Sequence, residues 1–96
     1  MEMNNEQWIP ADEICMNYNV EYSFISSLQQ SGLIEITTDQ DKRLISADKL
    51  DELEKFFRFH YDLDINIEGI EAIAHLLERI KELQKEIIKL KNFNTY

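Results

Sequence analysis

No lysine or arginine occurs between Met1 and Asp41, although eight aspartate and glutamate residues lie in that stretch. All ten basic residues of the chain lie from Lys42 onward. Duplex DNA presents one phosphate charge per ~1.7 Å of its axis, and proteins normally bind it through several Lys and Arg side chains. The first 41 residues are therefore expected to repel nucleic acid and to favour a basic protein partner.

Other scarce residue types narrow the class of protein further. Two glycines and one proline in 96 residues leave little room for long loops. The single cysteine, Cys15, excludes an internal disulfide and lies between Ile14 and Met16, so we interpret it as a small apolar core residue rather than a reactive thiol. No apolar run approaches the ~18 residues that a membrane-spanning helix needs, and no basic and apolar leader opens the chain. With a net charge of −9, these features indicate a cytoplasmic protein that avoids anionic membranes.

Signatures of catalysis or of metal binding are also missing. The two glycines cannot build a glycine-rich phosphate loop, and no nucleophile and base occur in a recognisable arrangement. The only histidines, His60 and His75, have no cysteine or second histidine at ligand spacing. Asp62 and Asp64 lie near His60, but capping and solvation explain them better than a metal site or an acid–base pair. We therefore predict a protein that is not an enzyme and needs no metal or cofactor.

The N-terminal part is expected to form a helix-turn-helix. Trp8 to Pro10 introduces a first short helix, because proline is favoured in a first turn and acidic residues suit the positive helix end. Its inward-facing residues should be Ile14, Cys15 and Tyr18. Asn19 is a favourable N-cap for a second helix, and Gly32 provides its left-handed stop. The buried stripe of that second helix should consist of Phe24, Ile25 and Leu28.

A small hairpin and a third helix should follow. The alternation from Ile34 to Thr37 predicts one strand, a polar turn covers Thr38 to Lys42, and Arg43 to Ile45 predicts the returning strand. This hairpin is the wing. Ser46 then caps a third helix. The apolar residues of that helix recur at helical spacing and are Leu50, Leu53, Phe56, Phe57 and Tyr61.

The last helix should begin near Ile67, after the cap residue Asn66, and extend to about Asn92. Its apolar stripe has steps of three and four residues, which is the 3.5-residue repeat of a coiled coil. The stripe consists of Ile73, Leu76, Ile80, Leu83, Ile87 and Leu90. Burying an Ile or Leu side chain stabilises by ~1.5–3 kcal/mol, so an uncovered stripe would leave several such contributions unused. Two interpretations remain open: a coiled-coil contact with a second copy, and packing within the same chain.

This order of elements resembles the MerR-like proteins. The residues that carry the resemblance run from Ser27 to Ile34, through the wing, to Ser46–Leu50. The block from His60 to Ile70, followed by Leu76–Ile80, is similar to the chaperone modulator CbpM family, whose members are small and acidic. The resemblance implies a mainly α fold with a MerR-like winged helix-turn-helix, a small two-stranded wing and a C-terminal coiled-coil helix. We therefore divide the chain into residues 1–65, the winged part, and residues 66–96, the coiled-coil segment.

The resemblance further implies a non-enzymatic modulator that binds the J-domain of a DnaJ-like, CbpA-type co-chaperone and blocks its action with Hsp70. J-domains expose a basic helix, and an anionic helix-turn-helix could occupy it by charge complementarity. A DNA-binding MerR-like regulator and a coiled-coil adaptor or antitoxin-like protein are the alternatives. The residues expected to contact the partner are Asp12, Glu13, Glu21 and Tyr22, with Glu35 and Asp39 on the wing. The simpler interpretation is that these carboxylates are ordinary solvated surface groups with no partner.

Overall fold

The architecture was obtained from a computed structural model, which describes residues 7–93. The outer ends of the two predicted segments, residues 1–6 and 94–96, lie outside the described residues. The protein is mainly helical with a small antiparallel sheet, as the sequence predicted. Its elements in chain order are β1 (Trp8–Pro10), α1 (Ala11–Tyr18), α2 (Tyr22–Gln30), β2 (Thr37–Asp39), β3 (Lys42–Ser46), a 3-10 turn (Ala47–Lys49), α3 (Leu50–Phe57), a π-helical turn (Arg58–Asp62) and α4 (Ile67–Phe93).

The two helices of the helix-turn-helix form as predicted, but the residue between them has a different role. Asn19 was expected to cap the start of the second helix. It instead ends α1 in the left-handed conformation, with φ of 55°, and its backbone N–H donates to the carbonyl of Cys15. Asparagine tolerates this conformation better than most residues because its short polar side chain can hydrogen-bond locally. The N-cap position of α2 is occupied by Glu21.

The sheet has three strands in the order β1-β3-β2. The wing hairpin β2–β3 is confirmed, but β1 was not predicted: residues Trp8–Pro10 form a strand instead of leading directly into a helix. Trp8 pairs with Ser46 and Ile9 with Ile45. This pairing joins residues almost 40 positions apart, so no local pattern indicates it. The sheet thereby fastens the start of α1 to the wing.

The wing is shorter than the alternation of residues indicated. Its first strand begins at Thr37 and not at Ile34, because Ile34 is buried in the core. Gly32, with φ of 78°, provides the predicted left-handed stop, and Leu33 then donates its N–H to the carbonyl of Leu28. The turn between β2 and β3 consists of two residues that both have positive φ, which is typical of a tight type I′ hairpin. These residues are Gln40 and Asp41.

The core lies between the first three helices, the sheet and the first turns of α4. Its buried residues are Ala11, Ile14, Phe24, Ile25, Leu28, Ile34, Ile45, Leu53, Phe56, Phe57 and Ile70. The predicted inward stripes of α2 and α3 are thus confirmed in the main. Tyr18 and Tyr61 were also expected to face inward, but they are 37% and 44% exposed. Each ring packs on the core edge while its hydroxyl reaches a polar partner, as amphipathic aromatic side chains commonly do.

Asn66 caps α4 as predicted, whereas Ser46 caps the 3-10 turn that leads into α3, and Lys49 occupies the N-cap position of α3 itself. Ser46 Oγ accepts from the backbone N–H of Asp48 at 3.3 Å, and Asn66 Oδ1 accepts from the N–H of Gly69 at 2.9 Å. A helix of 27 residues spans about 40 Å. Only its first turns contact the core, through Ile67, Ile70 and Ala74. The rest of α4 extends away from the helix-turn-helix.

The hydroxyl of Tyr18 provides a pH-dependent link between α1 and α3. It donates to Glu54. That hydrogen bond, followed by burial and the charges of Glu54 and Asp51, raises the pKa of Tyr18 above its usual value of 10.0. A group whose pKa is raised on folding contributes stability that is complete below its unfolded pKa and is lost as the pH rises through the folded value.

We therefore expect Tyr18→Phe to lower the free energy of unfolding at pH 8 and to have a smaller effect at pH 11. Urea unfolding of both proteins at the two pH values measures this difference. Tyr22→Phe is the matched control, since it removes a different tyrosine hydroxyl from the same region. A Tyr18→Phe effect of equal size at both pH values would contradict the assignment.

Candidate protein-interaction surface

Two predicted interaction residues, Asp12 and Glu13, lie in the first turn of α1 with exposed side chains. Carboxylates are favourable there because of the positive end of the helix dipole. Asp12 also lines a cleft between the start of α1 and the wing. The other residues of this cleft are Pro10, Thr38, Asp41, Lys42 and Arg43. The cleft therefore combines two carboxylates with two cations and is not uniformly acidic.

Glu21 lies beyond the other end of α1, where it is exposed beside Tyr61. Its backbone N–H donates to the Tyr61 hydroxyl at 3.0 Å, and its carboxylate accepts from Ser23 Oγ at 3.3 Å. The Tyr61 hydroxyl thus accepts a hydrogen bond from a backbone N–H at the start of α2, where no side-chain cap is present. Glu21 lines a groove of its own with residues of α2 and the π-helical turn. Asp12 and Glu21 therefore lie at opposite ends of α1 and in separate clefts.

Tyr22 is less accessible to a binding partner than the sequence indicated. Its ring is half-buried against the core, and the guanidinium carbon of Arg43 lies 5.2 Å from the ring centroid. This is a cation–π contact, which stabilises by ~0.5–1 kcal/mol at an exposed site. The contact holds the wing against α2. It also engages one of the two cations of the wing within the protein itself.

The outer surface of α2 carries no charged residue after Glu21. Its exposed side chains are Ser23, Gln29 and Gln30, and Ser26 and Ser27 are half-buried. Because α1 and α2 contain no lysine or arginine, the helix-turn-helix presents carboxylates, neutral polar groups and a few apolar side chains such as Met16, but no cation. Cations begin on the wing. This charge distribution is the opposite of the one that a phosphate backbone attracts.

The two predicted wing carboxylates have different positions. Glu35 was expected on the wing but lies before β2, in the irregular segment that follows α2. Asp39 ends β2 and is paired in register with Lys42 across the hairpin. Opposite charges facing each other across a hairpin compensate one another. Asp39 is therefore a weaker source of negative potential than the sequence alone implied.

Two exposed apolar residues, Met16 and Leu63, were not singled out from the sequence. Met16 on α1 is 82% exposed, and Leu63, which follows the π-helical turn, is 63% exposed. Tyr61 is on the same turn. The sequence did indicate that Leu63 is exposed, because it lies between Asp62 and Asp64 in a segment that interrupts the apolar stripe of the third helix. No pattern marked Met16, because it lies within a short amphipathic helix next to buried Ile14.

His60 belongs to an aromatic cluster rather than to a metal site. Its ring stacks on Phe24 with centroids 4.3 Å apart, and its Nδ1 lies 2.9 Å from the carbonyl oxygen of Ile65. Among residues 7–93, no three His, Cys, Asp or Glu side chains are grouped so that they could hold a metal ion. Burial, followed by the charge of Asp12, raises the pKa of the Cys15 thiol above its usual value. That shift disfavours the reactive thiolate.

The apolar stripe of α4 is largely exposed. Its first member, Ile73, is half-buried, and the others, Leu76, Ile80, Leu83, Ile87 and Leu90, are exposed. Ile88 and Phe93 are exposed as well. The stripe is therefore not covered by the described part of its own chain. Within residues 7–93, no helix combines the length and the apolar character that crossing a membrane requires.

The helix-turn-helix, the wing and the long terminal helix define a winged helix-turn-helix protein. The family model described as MerR HTH family regulatory protein matches residues 9–92. Because this match covers most of the chain, the protein belongs to that family. No curated protein and no solved structure matches the chain.

Proposed function

We propose that this protein is a non-enzymatic chaperone modulator that binds the J-domain of a DnaJ-like, CbpA-type co-chaperone and inhibits its action with Hsp70. One observation carries the proposal: α1 and α2 form the helix-turn-helix without a single cation and with Asp12, Glu13 and Glu21 exposed. A surface of this sign attracts a basic helix and rejects nucleic acid. The proposed interaction takes place in the cytoplasm.

The mechanism follows from competition for one basic surface. A J-domain uses its basic helix to engage an anionic surface of Hsp70, so a second anionic surface that binds this helix blocks that engagement. Charges at the rim of an interface mainly speed encounter, whereas buried aromatic side chains mainly slow dissociation. Asp12, Glu13 and Glu21 have the first role in this proposal, and Tyr22 has the second. For its ring face to contact the partner, Tyr22 must first lose its contact with Arg43.

Calorimetric titration of the J-domain of the cognate DnaJ-like protein tests the proposal. Binding is expected, and its affinity should fall as salt rises, because exposed charges interact through a screened potential. The same J-domain should stimulate ATP hydrolysis by Hsp70 less when this protein is present. Absence of binding heat at every salt concentration would contradict the proposal.

Membership of the MerR HTH family favours a second candidate, a DNA-binding transcriptional regulator. The charge of the helix-turn-helix argues against it. We predict no duplex binding at physiological salt, because Lys42 and Arg43 are the only cations among the first 43 residues and Arg43 is engaged by Tyr22. A gel shift with genomic fragments measures this. Sub-micromolar retention that weakens steeply with salt would favour the regulator instead.

We also propose that the protein is a homodimer held by the stripe of α4. The support is the 3.5-residue repeat together with the exposure of its members from Leu76 to Leu90. Exposed apolar surface of this extent is typical of an interaction site. A second copy is a suitable occupant, because a repeat of this kind is complementary to itself.

A further inference from the structure

Tyr61 lies in the π-helical turn at a point where two cavities meet. One is a pocket of about 290 Å³, called here the Tyr18 pocket, whose apolar walls are Tyr18, Val20 and Phe57. The other is the groove beside Glu21, called here the Glu21 groove, with a volume of about 270 Å³. A cavity of ~150 Å³ already accepts a benzene-sized group. Each cavity is therefore large enough for one side chain of a partner.

The π-helical turn explains why Tyr61 is exposed. Leu63 donates its backbone N–H to the carbonyl of Arg58 at 3.2 Å, which is a bond across five residues instead of four. The turn therefore contains one residue more than an α-helical turn, and Tyr61 leaves the buried stripe to which Phe57 belongs. Its ring is 44% exposed. Turns of this kind occur frequently at functional sites.

The ring of Tyr61 is already held in place in the free protein. Its hydroxyl accepts from the backbone N–H of Glu21 at 3.0 Å, and its ring packs against Phe24 with centroids 5.6 Å apart. A side chain that is already fixed loses little conformational freedom on binding, and tyrosine is enriched among the residues that dominate binding energies. The ring of Tyr22, in contrast, is engaged by Arg43. Tyr61 is therefore the more accessible aromatic anchor of the two.

The two cavities differ in charge. The residues that line the Glu21 groove include the exposed carboxylate of Glu21 and no lysine or arginine. The Tyr18 pocket contains both Arg58 and Asp62, whose charges compensate one another. The groove therefore favours a cation whose aliphatic stem lies along the ring of Tyr61. The pocket favours an apolar side chain.

We propose that the partner's basic helix lies across Tyr61, with a lysine or arginine side chain in the Glu21 groove and an apolar side chain in the Tyr18 pocket. Residues three or four apart on a helix are neighbours, ~5–6 Å apart, so one amphipathic helix fills both cavities. This inference rests on the proposed function, because it names the part of the surface that binds the J-domain helix. Asp12 and Glu13, at the opposite end of α1, then steer the helix from outside this contact.

Tyr61→Ala should raise the dissociation constant for the J-domain at least ~tenfold, mainly through faster dissociation, because it removes the wall that both cavities share. Tyr61→Phe should have a far smaller effect, since it retains the ring. Trp8→Ala is the matched control, because Trp8 lies in β1 and is similarly exposed, at 43%. Calorimetry and stopped-flow dissociation measure the effects, and circular dichroism checks that each variant is folded. An unchanged constant in Tyr61→Ala, or an equal loss in Trp8→Ala, would overturn the assignment.

The exposed residue Ser23 tests which side chain enters the Glu21 groove. Ser23→Lys places a cation beside Glu21 and should weaken J-domain binding about tenfold, because like charges then meet in the groove. Ser23→Glu occupies the same space with a carboxylate and should preserve or increase the affinity. Equal weakening by both substitutions would contradict a cation in this groove.

Photocrosslinking locates the partner helix without removing an aromatic side chain. Photoreactive benzoylphenylalanine replaces Tyr61 in one protein and Trp8 in another, and each is irradiated with the J-domain. Peptide mapping should find a product with the basic helix from position 61 and none from position 8. Binding heat with the wild-type protein but no product from position 61 would overturn the Tyr61 surface and leave the proposed function standing. Absence of binding heat with the wild-type protein would overturn both.

Discussion

Replacing Asp12, Glu13 and Glu21 together by lysine should lower the affinity for the J-domain at least tenfold and restore its stimulation of Hsp70. Each substitution changes the charge by two, so the helix-turn-helix surface becomes net positive along α1. Electrostatic steering raises association rates by ~10–10³, and its reversal should slow association more than it speeds dissociation. Stopped-flow association at several salt concentrations measures the rate, and a steady-state ATP hydrolysis assay measures the inhibition.

The matched control reverses three exposed carboxylates elsewhere, Asp51, Glu68 and Glu82, and so produces the same change in net charge. It should leave most of the J-domain affinity intact. An equal loss in both variants would mean that only the overall charge matters. Unchanged binding in the first variant would mean that the carboxylates of α1 and α2 only solvate the surface.

The parts of the fold that local chemistry determines were predictable from the sequence. Asn66 caps α4 and Ser46 caps the 3-10 turn, because short polar side chains accept hydrogen bonds from the first backbone N–H groups of a helix. Gly32 adopts the left-handed conformation just after α2, which glycine favours. Asn19 was assigned to the wrong helix end, since asparagine is favourable both as an N-cap and in the left-handed conformation. Strand β1 depends on pairing with a distant segment and has no local signal.

The candidate site likewise has features that the sequence indicates and features that depend on long-range packing. The negative charge of the first 41 residues is a matter of composition, so the sequence alone indicated it. The contact of Arg43 with Tyr22 and the hydrogen bond from Glu21 to Tyr61 join residues that are 21 and 40 positions apart. Such contacts depend on how the wing and the π-helical turn pack against α2. They change which side chains a partner can reach, and a list of charged residues does not contain that information.

Ile80→Asp combined with Leu83→Asp should convert the protein from a dimer to a monomer while the helix-turn-helix stays folded. Burying an Ile or Leu side chain contributes ~1.5–3 kcal/mol, and two such positions in each of two copies are lost. The new carboxylates would also lie within the proposed dimer contact, where burying their charges without partners is costly. The dimer dissociation constant should therefore rise by at least ~10³-fold. Light scattering across a concentration series measures it.

The fold should survive because the core lies apart from these two residues. Ile80 and Leu83 are exposed, whereas α4 contributes to the core through Ile67, Ile70 and Ala74, in its first turns. Circular dichroism should show loss of helix signal from the end of α4 only, with cooperative thermal unfolding retained. Lys85→Asp combined with Lys89→Asp introduces the same side chains beside the stripe and should leave the dimer largely intact. If the wild-type chain is already a monomer at high concentration, the stripe binds a different partner. The J-domain should then be tested as that partner.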